Sequence, residues 1–86
     1  LLQNRPNPFD EATIIGVLVN KPLSYKKAEI RVFDVNGKKV ETLDIALKLG
    51  VNEVSYEHGY GKTGTYFYTL IIDGKEISRK SMIFAN

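Results

Sequence analysis

TYFYTLIIDGKEISRKSMIF, residues 65–84, reads as two strands folded back on each other. From Thr65 to Asp73, aromatic and β-branched residues dominate. Side chains of an extended chain alternate between its two faces, so Tyr66, Tyr68, Leu70 and Ile72 fall on one side. Asp73-Gly74 then interrupts the run. That dipeptide suits a two-residue turn whose central backbone needs positive φ, and the segment Lys75 to Phe84 returns along the first strand. The stretch is therefore a β-hairpin, and the rest of the chain must supply what covers its apolar side.

Outward from the hairpin the same pattern recurs. In AEIRVFD (28–34), Ala28, Ile30 and Val32 alternate with Glu29, Arg31 and Phe33, as in a half-buried strand. Asn36-Gly37 predicts a second tight hairpin, of type I′, with KKVETLDI (38–45) as its returning strand. ATIIGVLV (12–19) is rich in β-branched residues and too short for a globular helix, and Gly16 within it signals a bulge or a close backbone approach. NEVSYE (52–57) is a further strand with Val54 and Tyr56 on one face. NKPLSYKK (20–27) is a connection, and Gly50 marks a turn in ALKLGVN (46–52), where Leu47 and Leu49 also allow a short helix. HGYGKTG (58–64), with three glycines, reads as a mobile loop or wide turn. About seven short strands separated by turn signals predict an all-β, antiparallel β-sandwich.

LLQNRPNPFDEAT (1–13) precedes the first strand. Each proline fixes its own φ, removes a donor and pushes the residue before it into extended conformation, so residues 1–10 are expected to form an extended docking segment. Pro6 and Pro8 would hold the chain straight while Phe9 packs against the sandwich. Such a closure matters in a chain of 86 residues, which makes one domain and buries only about 60–65% of its unfolded surface.

Composition narrows the function. Cysteine is absent, so neither a disulfide nor a thiolate zinc site adds stability. Net charge is +2, and the basic pairs Lys26-Lys27, Lys38-Lys39 and Arg79-Lys80 are dispersed, with strand alternation directing the members of each to opposite faces. That is solvated surface and not the clustered stripe of a nucleic-acid binder. No run approaches the roughly 18 apolar residues of a membrane span, which argues against direct membrane insertion. With no initiator Met and no leader, the sequence reads as a piece of something longer.

Four patterns imitate chemistry. Gly61-Lys62-Thr63 resembles the tail of a phosphate loop, yet Tyr56 stands where the first glycine belongs and a strand follows where a helix should begin. Asp34, Asn36 and Gly37 resemble the start of a calcium loop, but the remaining ligands are missing and Lys38 and Lys39 would repel a cation. His58, the one histidine, is expected to be a solvent-facing loop residue. Asp10 and Glu11 are adjacent and diverge in an extended chain, so they cannot flank one bond. Tyr66 and Tyr68 are expected in the core with their hydroxyls at its rim. No catalytic, cofactor-binding or metal-binding constellation emerges, and the chain does not read as an enzyme.

Three separated stretches are similar to one family. LLQNRPNPF resembles the opening signature of the C-terminal sorting domain of the type IX (Por) secretion system, type A, carried here by Pro6, Asn7, Pro8 and Phe9 after Leu2-Gln3-Asn4. IRVFDVNGKKV resembles its middle motif at Asp34, Gly37, Lys38 and Val40, and GTYFYTLIIDGKEISRKSMIF its last motif at Gly64, Tyr66, Tyr68, Leu70, Gly74, Arg79 and Lys80. The resemblance implies an immunoglobulin-like sandwich, a single C-terminal sorting domain over 1–86, fused behind a cargo. It implies export through the periplasm to the cell surface of a Gram-negative bacterium, recognition by an outer-membrane shuttle or receptor, and removal by a sortase-like protease. The alternative is a fibronectin-like accessory module of an extracellular enzyme, binding carbohydrate or acting as a spacer, since one sandwich hosts many functions.

Overall fold

The computed structural model describes residues 1–59 and 62–85. Six strands are present among them: β1 (Ala12–Val19), β2 (Ala28–Phe33), β3 (Lys39–Asp44), β4 (Gly50–Glu57), β5 (Gly64–Ile72) and β6 (Lys75–Phe84). They form two antiparallel sheets, β1-β4 and β3-β2-β5-β6, which make the expected all-β sandwich. The count is six, slightly below the expected seven or so, and the N-terminal segment makes only isolated bridges, at Arg5–Ile14 and Phe9–Phe84. Two prolines without N–H donors cannot sustain a ladder there.

The core lies between the sheets. Ile15 and Val17 of β1 and Tyr56 of β4 join Ile30, Val32, Tyr68, Leu70, Met82 and Phe84 of the larger sheet in one buried cluster. Alternation predicted the contributions of β2 and β5 residue by residue. Gly16 marks a close approach, not a bulge: the register with β4 is unbroken, Leu2 N–H donates to the Gly16 carbonyl at 2.8 Å, and a Cβ there would lie 3.1 Å from Leu2 Cδ1.

The crossover from β3 to β4 contains no helix. Its polar groups are satisfied from outside: the Tyr25 hydroxyl accepts from Leu47 N–H at 2.6 Å, and the buried Asn52 side chain accepts from Lys48 N–H and donates to the Lys48 carbonyl. Those bonds hold Ile45 and Leu47 inward without helical pairing. In β6 a bulge at Ile77 decides which side chains face the core. Leu70 pairs with Ser78 but Ile71 pairs with Glu76, and the extra residue turns Met82 and Phe84 inward while Ile77 and Ile83 stay exposed.

Both hairpins form, by different turns. Asp73 (φ 50°) and Gly74 (φ 81°) are the two left-handed residues of the expected two-residue turn. At the other hairpin the expected type I′ turn centred on Asn36-Gly37 is replaced by a three-residue loop. Gly37 N–H donates to the Asp34 carbonyl at 3.0 Å, Asp34 N–H donates to Lys38, and only Gly37 (φ 83°) is left-handed. The cause is the Asp34 carboxylate, which accepts from the N–H groups of both Asn36 and Lys38 at 2.9 Å and stabilises a type I turn followed by a glycine bulge. Gly37→Ala is therefore expected to lower stability by about 1–2 kcal/mol. Asn36→Ala should stay within about 0.5 kcal/mol in urea melts; equal losses at both positions would indicate the I′ turn instead.

Candidate functional site

The N-terminal segment is a strap across the open edges of both sheets. Leu2 and Arg5 N–H donate to Gly16 and Ile14 of β1, and Ile14 N–H returns a bond to Arg5. Four residues beyond Arg5, Phe9 N–H donates to the Ile83 carbonyl of β6 and the Phe9 carbonyl accepts from Ala85 N–H. The Asn7 carboxamide oxygen accepts from Ile83 N–H at 2.8 Å. The Phe9 ring, 2% exposed, lies edge-on to Tyr56 and tilted against Phe84.

Beneath the strap sits a buried polar knot. Asn4, 3% exposed, donates through its side chain to Thr13 Oγ1 at 3.0 Å and to the Pro6 carbonyl, which also accepts from the Thr13 hydroxyl at 2.9 Å. The Tyr68 hydroxyl accepts from Asn4 N–H at 2.9 Å and donates to the Leu2 carbonyl at 2.7 Å. Tyr68 thus lies wholly inside, where a rim position was expected for its hydroxyl, because the strap covers it. The convergence on the Pro6 carbonyl also explains a departure from a straight strap: the chain runs beside β1 to Arg5 and bends through residues 6–8, where both X-Pro bonds are cis.

His58 corrects the reading of a solvent-facing residue. Its ring centroid lies 4.0 Å from that of Phe84 and 4.6 Å from that of Tyr66, and Nδ1 is 2.7 Å from the Tyr56 hydroxyl. Burial among these rings holds the imidazole below its ordinary pKa, opposed by the Lys62 carbonyl, and pushes the Tyr56 hydroxyl up to about 12. Local sequence suggested a glycine-rich loop, but Phe9 and Phe84 arrive from the two ends of the chain to cover the His58 ring.

The other motif residues are spread across the molecule. Asp34, Gly37 and Lys38 form the β2–β3 turn, Tyr66, Tyr68 and Leu70 are core, and Gly64 and Gly74 bound β5. Arg79 and Lys80 point to opposite faces, paired with Thr69 and Tyr68 respectively. Of the imitation phosphate loop, Gly61 lies outside the described residues, while Lys62 and Thr63 are exposed and lead directly into β5. Asn4 and Thr13 were missed as a pair. A threonine in an apolar strand gives no local sign that it will meet a side chain nine residues away.

The motifs at the two ends of the chain thus meet in one unit, with Leu2 and Asn4 bonded to Tyr68, and Asn7 and Phe9 set against Ile83 and Phe84. A model of the secretion system C-terminal sorting domain matches residues 5–84. The chain belongs to this family. No curated protein and no solved structure matches it. The match covers the strap from Arg5 and all six strands, so the sorting domain is a folded sandwich and not a linear tag. The family is one of sorting signals and not of catalytic domains.

Two measurements test the site. Phe9→Ala removes a buried aromatic ring whose truncation costs about 3–5 kcal/mol, and the urea midpoint should fall accordingly; coincident midpoints would make the strap a mere linker. His58 takes up its proton more readily in the unfolded chain, near pH 6.5, than in the folded one. Its contribution is therefore fully present above that pH and is lost as pH falls through the lower folded-state value. The urea midpoint of the sorting domain should drop between pH 7.5 and 5, and His58→Phe should flatten that drop.

Proposed function

We propose that this sorting domain is the folded handle by which a cargo fused before Leu1 is taken from the periplasm through the type IX machinery to the cell surface, and that a sortase-like protease then removes it. Membership of the family establishes the coarser statement, a C-terminal type IX secretion signal, which implies export to the surface or outside of a bacterium. The observation that carries the finer reading is the meeting of first and last motifs. Asn7 and Phe9 bond to Ile83 and Ala85, and Asn4 bonds to Tyr68, so residues more than sixty positions apart specify one surface only when folded. A receptor or shuttle in the outer membrane would read the folded shape that this closure secures.

The fibronectin-like alternative gains no support from these contacts, and the family match favours sorting. Fusion of residues 1–86 behind a periplasmic reporter in a type IX-competent cell should place the reporter outside. Deleting Ser78–Asn86 should retain it in the periplasm, because the deletion removes Met82 and Phe84 from the core and strips the partner of β5 and the anchor of Phe9. Export of the shortened fusion at the full level would contradict a folded handle.

A further inference from the structure

The face of the four-stranded sheet turned away from the core has an unusual centre. Register aligns Thr42, Arg31, Thr69 and Arg79 in one row across β3, β2, β5 and β6. The rows beside it are Lys39, Phe33, Phe67 and Ser81 on one side and Asp44, Glu29, Ile71 and Glu76 on the other. Adjacent strands lie about 4.8 Å apart, so the backbones of Arg31 and Arg79 flank Thr69 at about 10 Å from each other, within reach of one small group above it. The Arg79 guanidinium lies 5.9 Å from the ring centroids of both Phe33 and Phe67. Thr69 is 0% exposed, and its hydroxyl has no hydrogen-bond partner among the described residues.

We propose that Arg31, Arg79 and the Thr69 hydroxyl, floored by Phe33 and Phe67, recognise an aspartate or glutamate side chain on an exposed loop of a protein of the export machinery. This rests on the sorting function proposed above. A guanidinium offers five donors in a planar fork that matches a carboxylate. Arg79 spends few of them inside the chain, since Glu76 stands 3.6 Å away and both side chains are half exposed. Arg31 is anchored to the Glu29 carboxylate by Nε at 2.6 Å and also by Nη2, which fixes its orientation and leaves only the remaining donors of its fork for a partner. An incoming carboxylate that draws Arg79 upward gives the Thr69 hydroxyl an acceptor, and the two phenyl rings exclude water from the contact. Charge selects a single carboxylate over a phosphate-rich membrane. Arg31 and Arg79 are balanced by Glu29 and Glu76 one row away, and Lys39 by Asp44 two rows away, so a dense anionic surface meets as much repulsion as attraction.

The test uses the reporter fusion with Thr69→Val, Arg79→Gln and Lys80→Gln, each checked by urea melts of the purified domain. Thr69→Val removes a buried hydroxyl without a partner and should leave the urea midpoint equal or higher, yet lower export at least tenfold. Arg79→Gln, at an exposed position, should keep the fold and lower export similarly. Lys80→Gln, on the opposite face, should export like the parent. Parent-level export of both Thr69→Val and Arg79→Gln would overturn this face while leaving the sorting function intact. Failure of the parent fusion to leave the periplasm would overturn both. Arg79-dependent binding of the purified domain to phosphatidylglycerol vesicles, with export unchanged in Arg79→Gln, would assign the face to a membrane and overturn a protein partner.

Discussion

The hydrogen bonds from Leu2 and Arg5 to β1 and from Phe9 to β6 are what join two sheets that share no strand. A two-stranded sheet such as β1-β4 is marginal alone, and it is held over the larger sheet by apolar contact and by this strap. The strap also occupies edges that would otherwise present unpaired N–H and C=O groups, along β1 and at the end of β6. Its two prolines cannot extend a ladder, so the segment crosses from one sheet to the other and stops. The buried Asn4, Thr13 and Tyr68 knot fixes where it crosses, since each group there finds its partner only in that register.

Much of this was legible in the sequence. Strict alternation in β2 and β5 gave their core faces, and Phe9, isolated behind two prolines, announced a docking residue. The failures have two causes, distance along the chain and local backbone geometry that residue type alone does not announce. His58 sits in what reads as a glycine-rich loop and is covered by Phe9 and Phe84. Asn36-Gly37 reads as a I′ turn until the Asp34 carboxylate is seen to cap the backbone of a different one. The orientation of Arg79 depends on a bulge at Ile77 that no residue type there announces. Without that bulge, the two-residue turn would pair Arg79 with Tyr68 and direct it inward.

These features bear on how a folded sandwich acts as an address. The residues that carry the resemblance to the family are mostly structural here: turn glycines, core tyrosines and a strap that closes the fold. They secure a shape whose exposed surfaces, free of such duties, can be read by another protein. Glu29 illustrates the division of labour, because the Arg31 guanidinium holds its carboxyl below the usual range while fixing the arginine on the outer face. If the outer face is the recognition surface proposed above, stability and recognition are carried by different residues of the same strands and can be altered separately.

The most direct measurement of the central claim is amide hydrogen exchange at Leu2, Arg5 and Phe9 in the native domain. If the strap is integral to the fold, these amides exchange only through global unfolding, with protection matching that of Ile30 and Tyr68 in the core. Exchange at the rate of a fraying terminus, while Ile30 and Tyr68 stay protected, would show that the sandwich stands without its strap and would contradict the account.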